Sequence, residues 1–214
     1  MRRRMTASIE PDIETLRKHS KILVIDDHAL PAQKLFERDG YHLERWPEIK
    51  NLSQLTDGHY EIILLDLHGV GLNESPDMQG LGILRHIKKS NPAQMVIAYS
   101  AQAQKLSARA FIELADSVLD KEASYVDYKE VVDSLLRRRA APGYFLAVMN
   151  RELGDKVILV PQVVPKAIQA FQKGQTGPFE RYLRDHLPDS QQVDRILTII
   201  SIGITAVSVV ATLA

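Results

Sequence analysis

Four short stretches in this chain, three of them apolar runs and the fourth a further candidate strand, each lead into a residue that can do chemistry. Lys21-Ile22-Leu23-Val24-Ile25 runs into Asp26 and Asp27, and Glu61-Ile62-Ile63-Leu64-Leu65 into Asp66. Met95-Val96-Ile97-Ala98-Tyr99 ends at Ser100, and Ala115 to Leu119 at Asp120 and Lys121. A carboxylate at the end of a buried run is costly unless it faces a crevice or a cation. Carboxylates gathered in one crevice repel one another and suit a hard divalent cation; beside a phosphoryl group the usual one is Mg2+. An aspartate can also act as a nucleophile and form an acyl phosphate. A hydroxyl and a lysine can neutralise the oxygens of the group received.

These side chains meet only if the elements carrying them place them together. Unbroken apolar runs of this length read as strands buried on both faces. Tyr41 to Trp46 adds a further strand. Helical spacing covers Ala29 to Arg38, closed by Asp39-Gly40, and Leu81 to Lys89, stopped at Asn91-Pro92. It recurs over Gln102 to Ile112 and Val126 to Arg138, with a short helix at Asn51 to Thr56. Strands alternating with helices predict a parallel sheet covered on both faces. In such a sheet the carboxyl ends of the strands hold the ligand. The stretch His68 to Gln79, with Gly69, Gly71, Asn73 and Pro76, reads as a long loop beside that crevice.

With these residues in that order, residues 21–139 resemble the receiver domain of two-component response regulators, the CheY-like superfamily. Asp26 and Asp27 match the family's acidic pair, Asp66 its phosphoacceptor, Ser100 its switch hydroxyl and Lys121 its lysine. Pro76-Asp77-Met78-Gln79-Gly80 is similar to its Pro-x-Met-Asp-Gly turn. The resemblance implies a flavodoxin-like, doubly wound α/β fold with strand order 2-1-3-4-5. It implies Mg2+ held by Asp27, Asp66 and, through water, Asp26, with the backbone carbonyl of His68. His68 and Gln102 occupy positions that tune hydrolysis of the acyl phosphate in the family. The implied donor is a histidine kinase or phosphotransfer protein, and the implied catalysis is limited to self-phosphorylation and autodephosphorylation. Two departures stand out: Glu122 replaces the usual proline after the lysine, and Val118 replaces the usual aromatic switch residue.

The remaining features bound the reading. Lys+Arg and Asp+Glu balance at 27 each, so no global field points to nucleic acid. The absence of cysteine excludes disulfides and thiolate metal sites, and no apolar run follows the basic start as a secretory signal would require. The histidines show no metal-ligand spacing; His19 and His28 read as surface residues, with His28, directly after the acid pair, also a candidate to line the crevice. Trp46 reads as a packing residue and Arg137-Arg138-Arg139 as a solvated helix end.

Residues 1–20 read as a polar lead-in, and residues 140–195 as a linker at Ala140-Ala141-Pro142-Gly143 with a small, mostly helical region. Ile196 to Ala214 carries no charge and reads as a hydrophobic helix, a candidate membrane anchor at the lower edge of spanning length. Thr198, Ser201, Thr205, Ser208 and Thr212 fall on one stripe of it, with Gly203 as a further small residue. The expectation is a cytoplasmic receiver, anchored at the inner membrane, that signals through contacts with a downstream protein or a second copy rather than with DNA. The alternatives are a phosphorylation-independent adaptor and a membrane-active effector.

Overall fold

The computed structural model describes residues 12–100 and 113–213, with only the backbone for 209–213. Strands β1 (Lys21–Ile25), β2 (His42–Trp46), β3 (Ile62–Asp66), β4 (Met95–Ser100) and β5 (Ser117–Asp120) form one sheet in the order β2-β1-β3-β4-β5. All four pairings are parallel. This is the flavodoxin-like arrangement expected from the sequence, with the order reversing between β1 and β3. The helix expected over 102–112, with Gln102, lies outside the described residues.

Burial follows the pleat. Ile22, Val24, Ile62, Leu64, Met95 and Ile97 point to one face, where α1 (Ile13–His19), α2 (Gln33–Arg38) and α4 (Tyr125–Ala140) supply Leu16, Phe36, Val132 and Leu136. Leu23, Ile25, Ile63, Leu65, Val96 and Ala98 point to the other, against Ile83, Leu84 and Ile87 of α3 (Gly80–Ser90). Trp46 packs in this second core at 2% exposure, as a packing residue should. Ser124 and Asp127 close a capping box at the start of α4, which satisfies helix donors that have no partner within the helix.

The C-terminal part is a second, all-helical core. It holds α5 (Pro142–Leu153), a 3-10 turn (Gly154–Leu159), α6 (Val163–Lys173), α7 (Gly177–His186) and α8 (Ser190–Leu213). Only Ala141 separates α4 from α5, so the expected linker is a sharp turn with Pro142 at the start of the next helix. Phe145, Met149, Leu153, Phe179 and Leu183 surround one face of α8, burying its Val193, Ile196, Ile199 and Ile200. A Cβ on Gly203 would stand 2.6 Å from the Phe145 ring and 2.8 Å from Phe171, so glycine lets α8 approach both aromatics. The expected stripe exists, but its Ser201, Thr205 and Ser208 are exposed while the apolar side packs within the chain. Among the described residues no helix is long and apolar enough to cross a membrane, and the anchor expected over 196–214 finds no support.

The two cores touch. Gly58 (φ +82°) lies against Ile202, and the Tyr144 hydroxyl donates to the Ala93 carbonyl at 3.1 Å. The basic run at the end of α4 is therefore not uniformly solvated: Arg137 and Arg138 are exposed, but Arg139 points inward and is 4% exposed.

Helix α1 is pinned by polar contacts. The Arg17 guanidinium grips both oxygens of Asp133 on α4, at 3.0 and 2.5 Å, and the Tyr41 hydroxyl donates to the same carboxylate at 2.5 Å. Burial pushes the Asp133 carboxyl up, but Arg17 and Tyr41 outweigh it and hold the group below its usual value. A carboxylate with a depressed value adds stability that is complete above its unfolded value, about 3.9, and is lost as pH falls through the lower native value. Asp133→Asn should therefore cost about 2–3 kcal/mol in urea unfolding at pH 7, and this deficit should shrink on acidification below pH 4.

Candidate functional site

The strand ends bring the acidic pair, Asp66, Ser100 and Lys121 together. Asp26 and Asp66 are 3% and 1% exposed, a strong desolvation for two carboxylates. Their shared counter-charge is Lys121, whose Nζ lies 2.5 Å from Asp66 Oδ2 and 3.4 Å from Asp26 Oδ2. Burial pushes the Asp66 carboxyl above its usual value, against the pull of the Lys121 bond, which favours the anion. Burial likewise pulls the Lys121 ammonium down, but the bond to Asp66 and the two nearby carboxylates outweigh it and leave it raised. The ammonium is thus a firm positive charge, with Asp66 as its closest partner.

The loops after β1 and β3 are shaped by backbone contacts to the same carboxylates. The His28 N–H donates to Asp26 Oδ1 at 2.8 Å, and the His68 N–H to Asp66 Oδ1 at 3.1 Å. The Ser100 hydroxyl and His68 Nδ1 lie 3.1 Å apart, so the two expected site residues touch each other. Gly69 takes φ +83°, and a Cβ there would come within 2.9 Å of Asp27 Oδ2. Gly80 opens α3 directly beneath Asp66, where a Cβ would stand 2.1 Å from the Asp66 carbonyl oxygen. The long loop after Asp66 is tied down: the Gly69 N–H donates to Gln79 Oε1, the Gly71 N–H to Glu48 Oε1, and Val70 is fully buried.

Three further residues belong to the site. The Tyr99 hydroxyl donates to Asp26 Oδ2 at 2.8 Å, and the Lys121 ammonium sits 5.5 Å from the centre of the Tyr99 ring. Burial, and then the Asp26 charge, push the Tyr99 phenol far above its usual range, so it stays a donor. Arg45 on β2 donates to the carbonyls of Asp26, Asp27 and His28, fixing the loop that carries the acid pair. His28 is exposed, as a surface histidine should be, and sets Nδ1 2.7 Å from Asp27 Oδ1. The Asp27 carboxyl is nudged up by burial but held below its usual value by that histidine. Neither Tyr99 nor Arg45 had a signal in the linear pattern: Tyr99 stands opposite Asp66 only through the register of β3 and β4, and the bonds of Arg45 go to main-chain carbonyls.

Ligand atoms of Asp26, Asp27 and His28 all lie within 4.8 Å of one another. With the Asp66 carboxylate at the neighbouring strand end, the donor set is rich in oxygen and anionic, which fits a hard divalent cation.

Solved structures are similar to part of this chain. A CheY-like response regulator receiver domain protein from Methanospirillum hungatei is 23% identical, covering 55% of this chain and 93% of its own, with a TM-score of 0.47. The signal receiver domain of a LuxO repressor protein from Vibrio parahaemolyticus is 20% identical, covering 56% and 91%, with a TM-score of 0.45. The response regulator protein TrrA of Thermotoga maritima, in complex with Mg2+ and BeF, is 23% identical, covering 54% and 98%, with a TM-score of 0.43. No family model and no curated protein matches the chain.

Because Tyr99 gives Asp26 a buried donor, Tyr99→Phe removes one hydrogen bond to a charged group and little volume. The variant should lose about 1.5–3 kcal/mol in urea unfolding. A loss below about 0.5 kcal/mol would mean that water replaces the phenol.

Proposed function

We propose that residues 21–139 form a phosphoacceptor receiver unit in which Asp66 takes a phosphoryl group from a phosphohistidine on a kinase or phosphotransfer protein. The observation that carries this reading is the buried Asp66 carboxylate at the end of β3, held by Lys121 beside the Asp26–Asp27 pair. In the step, an Asp66 oxygen forms a bond to phosphorus as the donor's phosphorus–nitrogen bond breaks. The departing imidazole nitrogen keeps the electron pair. The Lys121 ammonium, relieved of Asp66, turns to a phosphoryl oxygen, and the Ser100 hydroxyl donates to another.

The residues that would hold Mg2+ are Asp26, Asp27, Asp66 and the His68 backbone carbonyl. The ion would supply positive charge against the crowded carboxylate and phosphoryl oxygens. His68 and Gln102 are proposed to tune the lifetime of the acyl phosphate. Its formation would change the contacts of Ser100 and Lys121 at the ends of β4 and β5. From there the signal would pass to a downstream protein or to the helical C-terminal part. A phosphorylation-independent adaptor is the second reading, favoured by Val118 and Glu122, which depart from the pattern that couples the site to an output surface.

Full-length protein incubated with Mg2+ and acetyl phosphate should gain the mass of one phosphoryl group. Asp66→Asn should gain none, and omission of Mg2+ should abolish most of the labelling. No gain in the wild-type chain, where a working receiver is labelled in parallel, would move the reading to the adaptor.

A further inference from the structure

The inward-turned Arg139 is not explained by the strand-end site. It lies at the opposite end of the sheet, near Glu61 at the start of β3. The side chain is 4% exposed, and its Nε and Nη1 find no acceptor among the described residues. Its Cζ lies 5.8 Å from the Phe145 ring centre. An arginine is always charged in proteins, and burying its donors without acceptors costs more than most single contacts return. Glu61 is close enough to interact by charge but makes no ion pair with Arg139, and one of its oxygens already accepts from the Lys21 N–H at 2.6 Å. Arg139 lines a cavity of about 250 Å3 between the two cores. Leu16 and Leu136 wall it from the sheet side, and Ile202 and Ala206 from α8.

We propose that this cavity binds a small organic monocarboxylate, its oxygens on Arg139 and its apolar body between α8 and the receiver-like core. A guanidinium matches a carboxylate in shape and charge. The volume exceeds the roughly 150 Å3 that holds benzene, leaving space for a carboxylate as well. The apolar patches of Leu16 and Leu136 on one side and of Ile202 and Ala206 on the other accept an apolar body, while Asp57, Ser201 and Thr205 make part of the remaining wall polar. The neighbouring Glu61 carboxylate selects against a dianion such as phosphate. Because α8 forms one wall and the sheet side the other, an occupant would fasten the helical core to the receiver-like core. The site does not depend on phosphorylation of Asp66.

The test uses the full chain and benzoate as probe, with benzamide as its uncharged counterpart and inorganic phosphate as the dianion. Saturating benzoate should raise the melting temperature by about 4 °C, with little change from benzamide or phosphate. The shift should vanish in Arg139→Gln and in Ala206→Leu; the second keeps the arginine and fills the cavity. No benzoate shift in the wild-type chain would overturn the proposal and leave the cavity to water. An undiminished shift in Ala206→Leu would overturn the location, and a larger shift with phosphate than with benzoate would overturn the monocarboxylate class.

Discussion

One ammonium facing two desolvated carboxylates is the interaction on which the rest of this structure depends. Asp26 and Asp66 are withdrawn from water at adjacent strand ends, and Lys121 is their shared counter-charge. Without that charge two buried carboxylates would face each other with no counter-charge. The surrounding polar groups complete their solvation with fixed donors: the Tyr99 hydroxyl and the His28 N–H for Asp26, and the His68 N–H for Asp66. A cluster solvated in this way is poised to exchange one cation for another, or an ammonium–carboxylate contact for an ammonium–phosphoryl contact. The chemistry proposed for Asp66 is an exchange of that kind.

The backbone around the cluster is built to the same end. Parallel strands in the order β2-β1-β3-β4-β5 put the ends of β1 and β3 side by side, so the acid pair and Asp66 meet without any side chain reaching far. Gly80 brings α3 up under the Asp66 carbonyl, and Gly69 leaves room for the Asp27 carboxylate. Arg45 holds the β1 loop by its carbonyls. At the opposite end of the sheet, Gly58 and Gly203 do comparable work for α8, letting it lie close to the sheet core and to Phe145.

Much of this was legible in the sequence, and the reason differs between elements. The central strands β1, β3 and β4 are continuous apolar runs because both their faces are covered, so pattern alone located them and the residues that end them. Helix α2 is shorter than its spacing predicts, starting at Gln33, because the chain before it turns to follow the loop that carries Asp26 and Asp27. Two features, one in α8 and one at the end of α4, were not legible in this way. An uncharged run looks alike whether its apolar side meets lipid or Phe145, Met149 and Leu183, and only the tertiary packing distinguishes them. Likewise, Arg139 could not be separated from Arg137 and Arg138 by composition. Its inward direction follows from helix phase relative to a core that the sequence did not reveal. Tyr99 and Arg45 act through single contacts made across the sheet, which a linear pattern does not encode.

The most direct measurement is an experimental structure of the full chain grown with Mg2+ and beryllofluoride, a phosphoryl mimic that attaches to a nucleophilic carboxylate. The account predicts the mimic on an Asp66 oxygen, Mg2+ held by Asp26, Asp27, Asp66 and the His68 carbonyl, and Lys121 moved from Asp66 to the mimic. Intact Lys121–Asp66 pairing, with neither Mg2+ nor the mimic in the crevice under conditions that load a working receiver, would contradict it.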